Sequence, residues 1–126
     1  MPFDTDKFVT HLSKHAAKRS QSKCAKFVRL ALEAGGANTK GHPGLAKEYG
    51  PILTRNGFHA ITVDKPETFG FLKGDIVVMQ PTKRGHQAGH IAAYDGKIWV
   101  SDFTQRSFWP GPNYEKEKPS YVVYRR

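Results

Sequence analysis

The residue pattern changes at Phe58, and this change constrains the fold of the 126-residue chain more than any other feature. Before Phe58, apolar residues recur every three or four positions in segments bounded by Asp, Ser, Pro and Gly, as in helices. After it come five short segments rich in β-branched and aromatic residues: HAITV, GDIVVMQ, GHIAAY, KIWVS and SYVVYR. Helices followed by strands predict an α+β fold, with N-terminal helices packed on a mostly antiparallel sheet of about five strands.

Three helical segments are predicted in the first half of the chain. The first follows Asp4 and Asp6, which are possible N-caps, and the third is a short segment interrupted by Pro51. The second begins after Ser22, the expected N-cap, and stops at Gly35-Gly36. The length fits one domain, so we expect residues 1–126 to form a single unit.

Charge and hydropathy narrow the class of protein. No segment approaches the roughly 18 to 20 apolar residues that a membrane span requires, and the N-terminus lacks the apolar run of a secretory signal peptide. We therefore expect a protein made in the cytoplasm without a signal peptide. The net charge of +9 favours a polyanionic partner, which leaves nucleic acid, an anionic membrane surface and the bacterial cell wall open.

Cys24 is the only cysteine of the chain, and it lies where the second helix is predicted to begin. One interpretation is a small buried apolar residue. The other is a nucleophile, because the backbone N–H groups and the dipole of a helix N-terminus stabilise a thiolate. Lys23 and Lys26 would also lower the thiol pKa.

A thiol nucleophile needs a base, and the stretch RGHQAGHIAAYDG offers His86 and His90. His90 is the better base, since it begins an apolar strand that would hold its ring, whereas His86 lies in a Gly-flanked loop and is expected to meet substrate. Asp102, at the end of the next strand, could orient the imidazole.

Asp102 can reach His90 only in one register of the hairpin between their strands. A two-residue loop at Asp95-Gly96 would place Asp102 on the opposite face, and Ser101 or Gln80 would then be considered in its place. A loop of three residues returns Asp102 to the face of His90, and we predict this register.

Three stretches resemble, in order, motifs of the papain-like peptidoglycan amidases of the NlpC and CHAP type. CAKFV resembles the Cys-x-x-Phe-Val helix start, LKGDIVVM is similar to the Gly-Asp and following apolar strand, and GHIAAYDGKIWVSD resembles the Gly-His strand and hairpin. The resemblance implies a papain-like fold with Cys24 as nucleophile, His90 as base and Asp102 as orienter. The chain departs from the family at Lys23, where Asp is common, and at Ala25-Lys26, where Ser-Gly is common.

The activity implied by this resemblance is a cysteine-dependent amidohydrolase or endopeptidase that cleaves amide bonds of peptidoglycan peptides through a thioester acyl-enzyme. No metal or organic cofactor is required. The backbone N–H of Cys24 and one donor from Gln21 or Ser22 are expected to form the oxyanion hole. His86 and Trp109 are the expected substrate contacts, and residues 1–126 are expected to be one catalytic domain.

A small catalytic domain without a signal peptide is similar to the amidase effectors delivered by type VI secretion systems. That setting implies a monomer that acts in the periplasm or cell wall after specialised secretion and is neutralised by an immunity protein. A phage lysin or the catalytic part of a larger toxin would look similar.

Two other functional classes compete with this interpretation. The alternative is a basic nucleic-acid-binding domain without catalysis, which would use the aromatic residues of the late loop: Phe103, Phe108, Trp109 and Tyr114. It lacks a dense basic stripe, so no nucleic-acid partner is expected. A metal hydrolase built on His86 and His90 is the weakest hypothesis, because no third ligand stands nearby.

Overall fold

A computed structural model of the chain describes residues 2–85 and 87–126 and contains helices followed by one sheet. The α-helices are α1 (Thr5–His15), α2 (Cys24–Ala34), α3 (Gly50–Arg55) and α4 (Pro112–Glu117), with a 3-10 turn at Ala46–Glu48. The strands are β1 (His59–Ile61), β2 (Ile76–Met79), β3 (His90–Tyr94), β4 (Trp99–Val100) and β5 (Tyr121–Arg125). They form one antiparallel sheet in the order β1-β5-β2-β3-β4. The predicted α+β fold and its five strands are confirmed.

The sheet is buried on both faces, which explains why β2 is apolar at every position. The helix-side core packs α1, α2 and α3 on one face and includes Phe8, Leu12, Val28, Ala31, Leu53, Ile76, Val78, Ile91 and Val100. The loop-side core covers the other face with the late loop and includes Val77, Met79, Ala92, Trp99, Phe108, Trp109 and Val123. Alternate residues of each strand therefore enter different cores.

The two long helices begin differently. Asp4 caps α1, and its carboxylate accepts a hydrogen bond from the Lys7 N–H at 2.9 Å. At α2 the prediction of Ser22 as N-cap is wrong, because Lys23 occupies that position and provides no side-chain cap. Ser22 instead has a φ of +56°, so the chain turns sharply just before the helix.

The late loop contains a helix that the sequence did not predict. α4 starts at Pro112, a residue suited to a first helical turn, and is followed by Lys118, its C-cap, in a left-handed conformation with a φ of +47°. The loop before it covers the sheet through Phe108 and Trp109, which are only 4% and 6% exposed.

The predicted hairpin register is wrong. Tyr94 pairs with Trp99, so β3 and β4 are joined by a four-residue loop over residues 95–98. The Asp95 carboxylate accepts hydrogen bonds from the N–H groups of Lys97 and Ile98, both at 2.9 Å, and this side-chain turn lengthens the loop.

β4 ends at Val100, and the chain then turns tightly. The N–H of Ser101 donates to the Phe103 carbonyl at 3.0 Å, and the N–H of Gln105 donates to the Trp99 carbonyl at 2.9 Å. Gln105 therefore returns beside β4, while Asp102 lies at the tip of the turn. Throughout residues 2–85 and 87–126, every helix is too short or too polar to cross a bilayer.

Candidate active site

Cys24 is the first residue of α2 and is partly buried against the start of β3. α2 packs on the helix-side face of the sheet, and a hydrogen bond from the Ile91 backbone reaches the thiol. His90, which begins β3, points by strand alternation to the loop-side face with Ala92. The two side chains reach one cavity at the end of the sheet, where β3 begins.

This cavity has a volume of about 340 Å³. Its wall is formed by the loop before α2, the segment before β3, the turn after β4 and the start of α4. The lining residues include Ser20, Ser22, Cys24, Thr82, Gly85, Gly89, His90, Asp102, Phe103 and Tyr114. His86 lies outside the described residues, so its contact with substrate stays a prediction.

The partner of His90 is Gln105, which sequence reasoning missed. His90 Nε2 lies 2.8 Å from Gln105 Oε1, and both residues are buried. The Gln105 amide nitrogen donates to the carbonyls of Ser107 and Phe108 at 3.1 and 3.4 Å, which fixes the amide oxygen toward the ring. An amide oxygen can only accept a hydrogen bond, so His90 Nε2 carries the proton and Nδ1 is the free base.

Asp102 binds main chain instead of His90, so the predicted contact between them is wrong. Its Oδ2 accepts the N–H of Gln21 at 2.5 Å and the N–H of Lys23 at 3.1 Å. Its Oδ1 accepts the Ser101 hydroxyl at 3.3 Å. No hydrogen bond joins Asp102 to His90 within the described part of the chain. The reason is the hairpin register, which leaves Asp102 at the tip of the turn that faces the loop before α2.

The same contacts correct the predicted oxyanion hole. The backbone N–H of Gln21 is taken by Asp102, and the N–H of Ser22 donates to the Ser20 hydroxyl at 3.3 Å. The side-chain amide of Gln21 donates to the Asp102 carbonyl at 3.4 Å. Neither Gln21 nor Ser22 therefore offers a free backbone donor beside Cys24, whereas the Ser22 hydroxyl lines the cavity and its predicted role stays a prediction.

The electrostatics favour a neutral thiol and a neutral imidazole at rest. Burial raises the pKa of the Cys24 thiol and the Asp102 charge raises it further, although the backbone hydrogen bond from Ile91 opposes them. This is opposite to the lowered pKa that the helix N-terminus and the lysines predicted, since burial outweighs the backbone N–H groups. Burial likewise lowers the pKa of His90, while Gln105 and the charge of Asp102 raise it.

Trp109 does not line the Cys24 cavity, so its contact with substrate stays a prediction. It is 6% exposed, and its indole Nε1 donates to Glu67 at 3.0 Å. It lines a second cavity of about 480 Å³ together with Phe69, Phe71 and Phe108. Because Phe108 and Trp109 are buried, these two rings cannot stack on nucleic-acid bases as the alternative interpretation required.

Metal ligation was the third hypothesis. Among residues 2–85 and 87–126, no three His, Cys, Asp or Glu side chains are grouped so as to hold a metal ion.

Comparison with solved structures places the chain beside one type VI effector. It superposes on Tae3 in the native Tae3–Tai3 effector–immunity complex from Ralstonia pickettii with a TM-score of 0.83 and 37% identity, covering 98% of each chain. The selenomethionine form of the same complex gives a TM-score of 0.80 and 38% identity over 94% of this chain and 99% of that chain. No protein-family model and no curated protein matches the sequence.

Proposed function

The chain belongs to the Tae3 family of type VI effectors, and on that basis we propose that it is an antibacterial cysteine amidase that cleaves amide bonds of peptidoglycan peptides. The observation that carries the proposal is the cavity in which Cys24 lies with His90, whose ring Gln105 holds at 2.8 Å. A thiol, an imidazole with one free nitrogen and a buried orienting amide are the parts of a cysteine hydrolase. The proposal includes a relationship to the amidases of the NlpC and CHAP type.

Catalysis begins from the neutral pair. His90 Nδ1 accepts the thiol proton as Sγ attacks the amide carbonyl, and the imidazolium that forms keeps its Nε2–H bond to Gln105. His90 then gives the proton to the leaving amine, which leaves a thioester on Cys24. Water hydrolyses that thioester with His90 again as base. In this scheme Gln105 takes the orienting role that the sequence assigned to Asp102.

Asp102 has a different task in the proposed mechanism. Its carboxylate joins the backbone at Gln21 and Lys23 to the turn after β4, and the Ala17 N–H donates to its carbonyl at 2.9 Å. These contacts hold the loop that leads into α2. Asp102 therefore fixes the position of Cys24 and acts on His90 only through its charge.

The charge around the cavity fits an acidic substrate. Exposed cations flank the segments that form its wall: Lys18, Arg19, Lys23, Lys26, Lys83 and Arg84. Within the part of the chain that the structure describes, none of these six side chains forms an ion pair. Peptidoglycan stem peptides carry several carboxylates, and a net charge of +9 attracts them over long range.

The biological setting follows the relative. Tae3 is an effector crystallised with its immunity protein Tai3, and we infer that this protein is delivered to the periplasm of a competing cell and is neutralised by a cognate immunity protein in its producer. Two of the four aromatic residues that a nucleic-acid surface would use, Phe108 and Trp109, are buried, and this favours the cell wall as the polyanion.

Digestion of purified Gram-negative peptidoglycan tests the proposal. Wild-type protein is expected to release new muropeptides, identified by mass spectrometry, and their masses identify the cleaved bond. Cys24→Ala and His90→Ala should release none, while Trp109→Phe, which lies outside the cavity, should remain active. If wild-type protein leaves both intact sacculi and soluble muropeptides unchanged while circular dichroism shows a folded chain, the proposed function is wrong.

A further inference from the structure

The backbone of the loop before Cys24 supplies no second donor for the oxyanion hole. A tetrahedral intermediate needs donors aimed at its oxygen in addition to the N–H of the nucleophile. The N–H groups of Gln21 and Lys23 both bind Asp102, and that of Ser22 binds Ser20. The loop therefore offers only side-chain donors such as the Ser22 hydroxyl, which lines the cavity but belongs to an exposed residue, and the other walls are considered next.

Tyr114 is the polar side chain best placed to supply it. α4 carries it into the cavity wall, where its ring lies 5.9 Å from the His90 ring at an angle of 56°. The side chain is partly buried, and its hydroxyl has no hydrogen-bond partner among residues 2–85 and 87–126. A free hydroxyl in a partly enclosed cavity is available to a ligand.

The chemistry of Tyr114 suits a neutral donor. Burial raises the pKa of its phenol to about 12, and the charge on Cys24 contributes to this shift. The phenol therefore keeps its proton throughout the neutral pH range.

The other polar groups of the wall are less suitable. Thr82 Oγ1 is buried and has no partner among the residues that the structure describes, but it lies against Gly85, where even a Cβ atom would collide with it. Ser20, Ser22 and Asn113 are exposed. Burial raises the pKa of Tyr49, and the charge on Cys24 also raises it. This residue is 1% exposed in the helix-side core, however, and does not line the cavity.

We propose that the Tyr114 hydroxyl is the second donor of the oxyanion hole and is a catalytic residue of this enzyme. The inference rests on the proposed amidase function. As the Sγ–C bond forms, the carbonyl π electrons move to oxygen and the thiol proton moves to His90. The Tyr114 O–H donates a hydrogen bond to that oxygen and keeps its proton. When the intermediate collapses, the C=O bond re-forms, the C–N bond breaks and the amine leaves with the proton from His90.

Tyr114→Phe tests this role and keeps the ring that packs against His90. Loss of one oxyanion donor is expected to lower kcat by roughly 10²-fold with little change in KM. Tyr49→Phe is the matched control, because it removes a buried phenol hydroxyl outside the cavity, and it should keep its kcat. Thermal melting of both variants reports whether each is folded.

Alkylation of Cys24 by iodoacetamide separates an oxyanion role from an effect on the thiol. This reagent reacts at a saturated carbon, so no oxyanion forms, and Tyr114→Phe should be alkylated at the wild-type rate. An equal fall in alkylation rate and kcat would overturn the inference, as would an unchanged kcat. Failure of the proposed function is distinguishable, since the wild-type protein and Tyr49→Phe would then also be inactive.

Discussion

Replacing Gln105 by methionine tests whether this amide orients the catalytic imidazole. Methionine is close to glutamine in length and volume but cannot accept the His90 Nε2–H bond, which measures 2.8 Å. The Gln105 bond also raises the His90 pKa against burial. In the variant the ring loses its fixed tautomer, and its pKa falls further below the ordinary value.

The size of the effect follows from the charge state of His90 during the reaction. The ring is protonated in the intermediate, and a hydrogen bond to a charged group contributes about 1.5 to 3 kcal/mol. Every 1.4 kcal/mol of lost transition-state stabilisation is about tenfold in rate. We therefore expect kcat of Gln105→Met to fall by roughly ten- to a hundredfold. The acid limb of its pH profile should move to lower pH, because His90 must be neutral to act as base.

The assay is the rate of muropeptide release across pH, with Asp102→Asn as the comparator. An asparagine can still accept the N–H groups of Gln21 and Lys23 through its oxygen, so the loop before α2 should stay in place. Its loss of kcat should be smaller than that of Gln105→Met. The reasoning is refuted if Asp102→Asn loses as much activity as Gln105→Met, or more, while both variants remain folded.

Three further predictions concern charge, packing and backbone. Asp102→Asn removes a charge that raises the Cys24 pKa, so the pH midpoint of iodoacetamide alkylation should fall. Asp75→Ala removes the buried partner that Arg125 binds at 2.7 and 2.9 Å, and the free energy of unfolding in urea should drop by about 3 kcal/mol. Gly89→Ala places a Cβ against a β2 carbonyl at a φ of +74°, and should lower that free energy by about 1 to 3 kcal/mol.

Each of these has a result that contradicts it. An alkylation midpoint that rises in Asp102→Asn would mean that its charge does not disfavour the thiolate. Unchanged urea midpoints for Asp75→Ala would show that the ion pair contributes nothing to stability. A Gly89→Ala variant as stable as wild type would place this residue outside the left-handed region.

The strands were predictable because each combines β-branched or aromatic residues with Gly, Pro or Asp at its ends. α1 and α2 were predictable from their apolar periodicity and, for α1, from the Asp4 cap. α4 was not, because it is only six residues long, has no apolar stripe and contains no buried residue. The hairpin register was missed because it is set by two hydrogen bonds to the Asp95 side chain.

In the candidate site, likewise, the residues with a local sequence signal could be predicted and the others could not. A cysteine at a helix start and a histidine at a strand start could be recognised locally, and the structure brings Cys24 and His90 to one cavity. Gln105 carries no local signal, since its contact with His90 arises from the turn after β4. The thiol pKa was predicted in the wrong direction because it depends on burial and on Asp102, which are properties of the assembled fold. The catalytic roles stay predictions.

The order in which the chain is synthesised has a consequence for the cell that makes it. The proposed nucleophile is at position 24, whereas the proposed base, its orienting amide and the proposed oxyanion donor follow at positions 90, 105 and 114. Proteins leave the ribosome N-terminus first, so a nascent or prematurely terminated chain that ends before residue 105 carries the thiol without its complete machinery. The loop before Cys24 is also held by hydrogen bonds to residues 102–104. In the proposed mechanism, residues 102–114 therefore both hold the loop that carries the thiol and complete the machinery around it, so a chain without them would not cleave peptidoglycan.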